Sequence, residues 1–258
     1  MKLQGEVVYV TGGCGDIGRA ICLALARPGM KIVVNDLLPQ DAAQPVIDQI
    51  QNRGAEAIYY PADVSTRGAV NSMFEAGIRH FGPPDICIGN AAIVEVAPFL
   101  ELTAESWAQQ LNIDLTGCFH VGQAAAHRMV ESGKGGRIIF VSSWVQDVPS
   151  ENIVAYCVAK SGLKMLARCM ALELGRYGIT VNLVAPGFVD GGLSGRLFQE
   201  KPGLREAAVR LVPLGYIASP DDVAETILLL CSPGAKYMTG STLLADGGNS
   251  LFLRGGNA

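Results

Sequence analysis

"VVYVTGGCGDIGRAICLALA", residues 7–26, joins a short apolar run to a glycine-rich turn and then to a segment of helical period. VVYV is apolar at every position instead of alternating, the pattern of a strand whose two faces are both covered by helices. The turn holds a G-x-G-x-x-G spacing at Gly13, Gly15 and Gly18, directly before RAICLALA. Glycines there let the backbone approach a pyrophosphate and let the helix pack tightly on the sheet, with the phosphates at the helix N-terminus. The same turn can also be a plain strand-to-helix connection with no ligand.

The pattern recurs along the chain. Short apolar runs at VVYVT (7–11), KIVVN (31–35), AEAIYY (55–60), DICIG (85–89), RIIFVS (137–142), ITVNLV (179–184) and STLLA (241–245) are mostly separated by helix-period segments. Seven strands so arranged predict an α/β domain with a doubly wound parallel sheet and helices on both faces. No composition break, linker or repeat divides the chain, so 1–258 reads as a single domain. The one long stretch without a clear period, 187–215, is rich in Gly and Pro and is expected to be a mobile substrate lid.

With 258 residues, 49% hydrophobic and 17% charged, the chain can bury a substantial core. A net charge of −4 without a Lys/Arg-rich block argues against nucleic acid or an anionic membrane surface as partner. The seven cysteines are scattered without a C-x-x-C pair and the three histidines lack metal-ligand spacing, which suggests a reducing compartment and no metal. The N-terminus lacks a basic segment followed by a cleavable apolar stretch, and no apolar run reaches the roughly 20 residues of a membrane span. A cytoplasmic protein acting on a small molecule is expected.

The second strand ends at Asn35-Asp36, about 20 residues beyond the glycine-rich turn, where a carboxylate can accept hydrogen bonds from the ribose hydroxyls of an adenosine. It would also repel a 2′-phosphate, so Asp36 points to NAD over NADP; the competing reading is a solvated turn residue. Further along, "YCVAKSGLKM" sets Tyr156 four residues before Lys160, so both side chains leave one helix face. Such pairs also arise by chance on amphipathic helices. Ser143, at the end of the RIIFVSS strand, precedes Tyr156 by 13 residues.

Taken together, these residues resemble the short-chain dehydrogenase/reductase family over nearly the whole chain, which implies a Rossmann-like fold. The family's T-G-x-x-x-G-x-G turn falls on Thr11, Gly12 and Gly18, with Asp16 where the middle glycine is usual. The resemblance implies cofactor contacts at Gly12, Gly15, Asp16, Ile17 and Gly18, though a carboxylate beside a pyrophosphate must point away, and Asp16 could instead cap the following helix. It further implies an adenine-edge contact at Asp63-Val64. Gly89-Asn90-Ala91-Ala92 resembles the family's N-N-A-G, with Asn90 either contacting the cofactor or closing a strand-end turn. Pro186-Gly187 follows the sixth strand, and the Val189 backbone stands in for a family threonine where this chain has Asp190-Gly191.

The same resemblance carries Ser143, Tyr156 and Lys160 over as the site of hydride transfer between an alcohol and the nicotinamide. Tyrosine at its free pKa of about 10 is a poor base at neutral pH, so a nearby cation must favour its ionised form. Lys160 fits that need and is also placed to hold the nicotinamide ribose. Ser143 would hold the substrate oxygen. Asp114 aligns with the family's usual asparagine, where it could accept in a water relay to Lys160 or could merely cap a helix irregularity.

Glu95, Trp144, Asn152 and Phe188 are the substrate candidates, with Glu95 and Asn152 suited to a sugar, polyol or sugar acid and Trp144 to an apolar wall. Arg196, Arg205 and Arg210 could recruit a carboxylate, but Glu200 and Glu206 interleave with them as on a solvated helix face. An NAD-dependent dehydrogenase of a secondary alcohol leads. A 3-ketoacyl-thioester reductase-like enzyme and a non-catalytic NAD-binding scaffold are the alternatives. The resemblance also implies a homo-oligomer, a dimer or tetramer, built on long helices after residues 105 and 154. The apolar LFL at 251–253 could pack on a neighbouring subunit.

Overall fold

Each predicted strand forms within a residue or two of its expected place in the computed structural model, which describes residues 6–201 and 203–251. β1 (Val7–Thr11) is buried throughout and leads through the glycine-rich turn into α1 (Asp16–Leu25). β2 (Lys31–Asp36), α2 (Gln40–Asn52), β3 (Glu56–Pro61) and α3 (Arg67–Phe81) follow, then β4 (Ile86–Gly89), α4 (Ala104–Leu111), α5 (Cys118–Ser132) and β5 (Gly136–Val141). A long helix, α6 (Val154–Leu174), precedes β6 (Ile179–Pro186). Three helices, α7 (Gly192–Glu200), α8 (Leu204–Leu211) and α9 (Pro220–Cys231), then lead to β7 (Thr242–Ala245).

The seven strands form one parallel sheet in the order β3-β2-β1-β4-β5-β6-β7. The chain winds outward from β1 to β3, then crosses back to β4 on the other side of β1. The loops leaving β1 and β4 therefore part in opposite directions, and a crevice opens at their C-terminal ends.

The uninterrupted apolarity of β1 has a direct cause. Val8 and Val10 point into one core with Ile21 and Leu25 of α1, Ile47 of α2 and Ile227 of α9. Val7 and Tyr9 point into the other with Phe74 of α3, Met129 of α5 and Leu163 of α6. Each such side chain removed from water contributes on the order of 2 kcal/mol, so both faces of the sheet hold it in register.

The stretch 187–215, which shows no clear period in the sequence, contains α7 and α8. The helices are nine and eight residues long, and Gly191, Gly192, Gly195 and Gly203 interrupt the apolar spacing, so no helical period shows in the sequence. Of the apolar LFL at 251–253, Leu251 is exposed and the next two residues lie outside the described ones.

Candidate active site

Loops at the C-terminal ends of the strands, together with α7 and α8, enclose a cleft of about 840 Å³. All the residues expected to hold a dinucleotide line it: Gly12, Gly15, Asp16, Ile17, Gly18, Asp36, Asp63, Val64, Asn90, Tyr156, Lys160, Pro186 and Val189.

The glycines of the turn serve two different ends. Gly12 has φ +62°, and a Cβ there would stand 2.9 Å from Ala91 Cα. At Gly18 a Cβ would fall 2.0 Å from Gly12 O, so helix and turn can touch only if this residue has no side chain. Gly15 is otherwise: its nearest contact would be Gly12 O at 3.6 Å, an ordinary distance, and the room it leaves opens into the cleft. α1 begins just after it with no side-chain cap. An unblocked helix N-terminus beside vacant space fits the phosphates of a dinucleotide.

Asn90 braces this turn, its amide donating to Thr11 O at 3.1 Å and Gly12 O at 3.0 Å. Its strand-end role is therefore structural, although it also faces the cleft. Asp36 is held at the lip by the N–H groups of Cys14 (3.0 Å) and Leu37 (2.8 Å), one on each carboxylate oxygen. Each oxygen keeps a lone pair for a ribose hydroxyl. Asp63 is oriented by the Ser65 N–H at 2.8 Å.

Asp16 caps a helix, but not the one that follows it. Its Oδ2 accepts the Gly192 N–H at 2.7 Å, so a carboxylate stands at the N-terminus of α7, where the helix dipole favours it. A Cβ at Gly191 would lie 3.2 Å from Asp16 Cβ and 2.9 Å from Pro220 Cγ. Two of the departures from the family pattern, Asp16 and Gly191, thus meet: a side chain at 191 would crowd both Asp16 and Pro220.

On the opposite wall, α6 presents Tyr156 in its first turn and Lys160 one turn later. Lys160 is 1% exposed, its Nζ donates to Val141 O at 3.1 Å, and it stands 5.3 Å from the Tyr156 ring centre. Ser143, buried just after β5, lines the same cleft as Tyr156 and accepts the Val145 N–H at 3.4 Å. Burial pushes the Tyr156 phenol up, and the Lys160 charge and the Ser143 hydroxyl oppose this without cancelling it. Lys160 thus lowers the phenol in the direction the residue pattern suggested, and the rest of the fall is expected from the positive charge of an oxidised nicotinamide. Burial disfavours the Lys160 ammonium, but Tyr156, Asp114 and Cys118 outweigh it and hold the group above the usual lysine range.

Asp114 lies in a π-helical segment, Asn112–Gly117, between α4 and α5. The wider turn directs its carboxylate inward: the residue is fully buried, Oδ1 accepts the Ile93 N–H at 2.8 Å, and Oδ2 has no hydrogen-bond partner among the described residues. Burial raises its pKa to about 6, against the pull of Lys160 and the Ile93 N–H. It does more than cap an irregularity, since it ties the loop after β4 to the helical segment between α4 and α5.

Among the substrate candidates, Trp144, Asn152 and Phe188 line the cleft; Glu95 is exposed and does not. Its N–H donates to Gln110 Oε1 at 3.1 Å, which turns this backbone toward α4. Arg205 pairs with Asp190 at 2.7 Å, Arg196 lines the cleft, and Arg210 does not. Reading the sequence missed Phe198, Leu204 and Leu211, which complete the wall from α7 and α8. It also missed the Ile93 N–H and the Val141 carbonyl, backbone groups that leave no trace in residue identity.

Comparisons with known proteins bear on the family and the fold. The family model described as enoyl-(acyl carrier protein) reductase matches residues 12–250. The chain is 34% identical to 3β-hydroxysteroid dehydrogenase 1 of Eggerthella lenta, covering 97% of this chain and 95% of that one. It is 35% identical to the L-rhamnose-1-dehydrogenase of Scheffersomyces stipitis, covering 97% of each. A crystal structure of a short-chain type dehydrogenase/reductase from Mycobacterium marinum superposes with a TM-score of 0.90 at 32% identity, over 96% of both chains. With a matching family model over most of its length and relatives of this identity over nearly all of it, the chain belongs to the short-chain dehydrogenase/reductase family.

Proposed function

We propose that the protein is an NAD-dependent oxidoreductase that interconverts a secondary alcohol and its ketone. The observation that carries this reading is the convergence of Ser143, Tyr156 and Lys160 on one cleft, beside a glycine-rich turn with room at Gly15. Asp36 supports NAD, because its carboxylate stands where a 2′-phosphate would be repelled. Gly15, the α1 N-terminus and Asp36 would hold the dinucleotide. When bound, the dinucleotide would supply the hydride acceptor and, in its oxidised form, a positive charge.

The chain's own residues do the rest. Ser143 donates a hydrogen bond to the substrate oxygen and holds it against Tyr156. The Tyr156 phenolate takes the hydroxyl proton during oxidation and returns it during reduction. Lys160, fixed by Val141 O, favours the phenolate by its charge. Asp114 keeps Lys160 protonated and, with a free oxygen, can pass a proton on from it.

A sugar, polyol or sugar-acid substrate has support in the rhamnose dehydrogenase relative and in Asn152 at the cleft; the steroid dehydrogenase relative supports an apolar one. A ketoacyl-thioester reductase is disfavoured by Asp36, and a scaffold has no need of Ser143, Tyr156 and Lys160 together. Homo-oligomerisation is supported by an exposed apolar row on α6, Val158, Met165 and Leu172 at seven-residue steps. The scattered free cysteines suit a cytoplasmic location.

The test is a titration of NAD followed by tryptophan fluorescence, with turnover of an alcohol panel by wild type and Tyr156→Phe. The variant is expected to retain NAD binding through the remaining contacts and to lose on the order of 10³-fold in turnover. If the wild type binds NAD yet no alcohol reduces it, the scaffold reading replaces this one.

A further inference from the structure

Beyond Ser143 and Tyr156 the cleft runs beneath α7 and α8, and there its walls change character. Trp144, 6% exposed, faces Phe188 edge-on at 5.7 Å, and Phe188 faces Phe198 of α7 at 6.4 Å. Leu204 and Leu211 of α8 extend this aromatic row, and Val96 stands in the loop after β4. Leu204 and Val96 are 36% and 44% exposed, apolar surface that a ligand in the cleft could cover. The charged and amide side chains on this side, Glu151, Asn152, Arg196 and Lys201, are exposed and so stand at the mouth, where water satisfies them.

From this we infer that the substrate is a bulky, largely apolar secondary alcohol or its ketone, held under α7 and α8. The inference rests on reading Ser143, Tyr156 and Lys160 as a dehydrogenase site and gives that site its substrate class. A polyol carries a hydroxyl on nearly every carbon, and each one stripped of water needs a new partner. Ser143 and Tyr156 can satisfy the reacting oxygen, but for its neighbours this side offers only the Trp144 indole N–H and the Ser150 and Ser194 hydroxyls, fewer partners than a polyol needs. An apolar body instead gains from leaving water along the same wall. Glu95, the acidic group best suited to grip a sugar, lies off the wall.

The decisive measurement is kcat/KM with NAD for 2-decanol and a 3β-hydroxysteroid against L-rhamnose and sorbitol. The apolar alcohols are expected to exceed the polar ones by on the order of 10²-fold; equal or higher values for L-rhamnose or sorbitol overturn the inference. Tryptophan fluorescence on addition of the matching steroid ketone, without NAD, reads the wall apart from turnover. Ketone binding with no turnover of any alcohol would sink the dehydrogenase reading and support the apolar wall. No ketone binding overturns the wall itself. Phe198→Ala and the more exposed Leu204→Asn are each expected to weaken ketone binding by about tenfold. If both fold and bind as wild type does, the inference falls.

Discussion

The cleft has two halves built by different means. The half proposed to hold the cofactor is largely backbone: a turn whose Gly12 and Gly18 leave no room for a side chain, a helix N-terminus, and an aspartate pinned by two N–H groups. The substrate half is side chain: an aromatic row and two short helices whose apolar faces meet only when the chain is folded. Where geometry forbids all residues but one, function leaves a motif. Where any apolar residue of suitable size will do, it leaves none. The contrast accounts for which residues could be found in advance and where substrate choice is free to vary.

The sharpest way to break the comparison lies within the glycine-rich turn. Gly18→Ala puts a methyl 2.0 Å from Gly12 O, so it should cost roughly 3 kcal/mol of stability, read as a fall in Tm with and without NAD. Gly15→Ala meets nothing closer than 3.6 Å and should keep the wild-type Tm while NAD affinity falls by on the order of tenfold or more. If both variants lose stability alike, Gly15 belongs to the packing and not to the cradle.

Asp114→Asn tests whether the catalytic wall is wired as described. With its carboxyl raised to about 6, the folded chain binds more protons than the unfolded one between the ordinary carboxylate range and that value. This group's contribution to stability is therefore complete below the ordinary range and is lost as pH rises through about 6. The amide should retain substantial turnover, flatten that stability slope, and abolish an inflection near pH 6 in kcat/KM. An unchanged pH–rate profile would remove Asp114 from the proton relay.

The smallest expected effect joins the two halves. Asp16→Ala removes the cap on α7 without touching the catalytic wall, so it should cost about 1 kcal/mol and raise substrate KM more than NAD Kd. If Kd for NAD improves while KM stays put, Asp16 acts on the phosphates by charge and not through α7. The double variant Asp16→Gly with Gly191→Thr should be better tolerated than Gly191→Thr alone, since it removes the Asp16 Cβ contact and leaves only Pro220 crowding the new side chain.

Much of the site was legible beforehand. VVYV declared a doubly covered strand because Val8 and Tyr9 serve opposite cores, and the i,i+4 spacing of Tyr156 and Lys160 holds in α6. Asp36 ends β2 at the cleft because strand length and turn length set that position. The illegible part has a common cause. The reach of Asp16 to Gly192 spans 176 residues, and no local pattern encodes a partner so distant. The period of α7 and α8 is hidden by glycines and short length, and Glu95 leaves the wall because Gln110 takes its N–H.

By itself the sequence determined the seven-strand α/β architecture, the glycine-rich turn and the serine, tyrosine and lysine, since period, steric exclusion and residue chemistry are local and survive in one dimension. Tertiary structure alone decided the rest: the raised Tyr156 phenol, the buried and half-partnered Asp114, the capping of α7 by Asp16, and the aromatic wall. Each of these depends on which distant groups come together and on how much water they exclude, and both are properties of the packed chain.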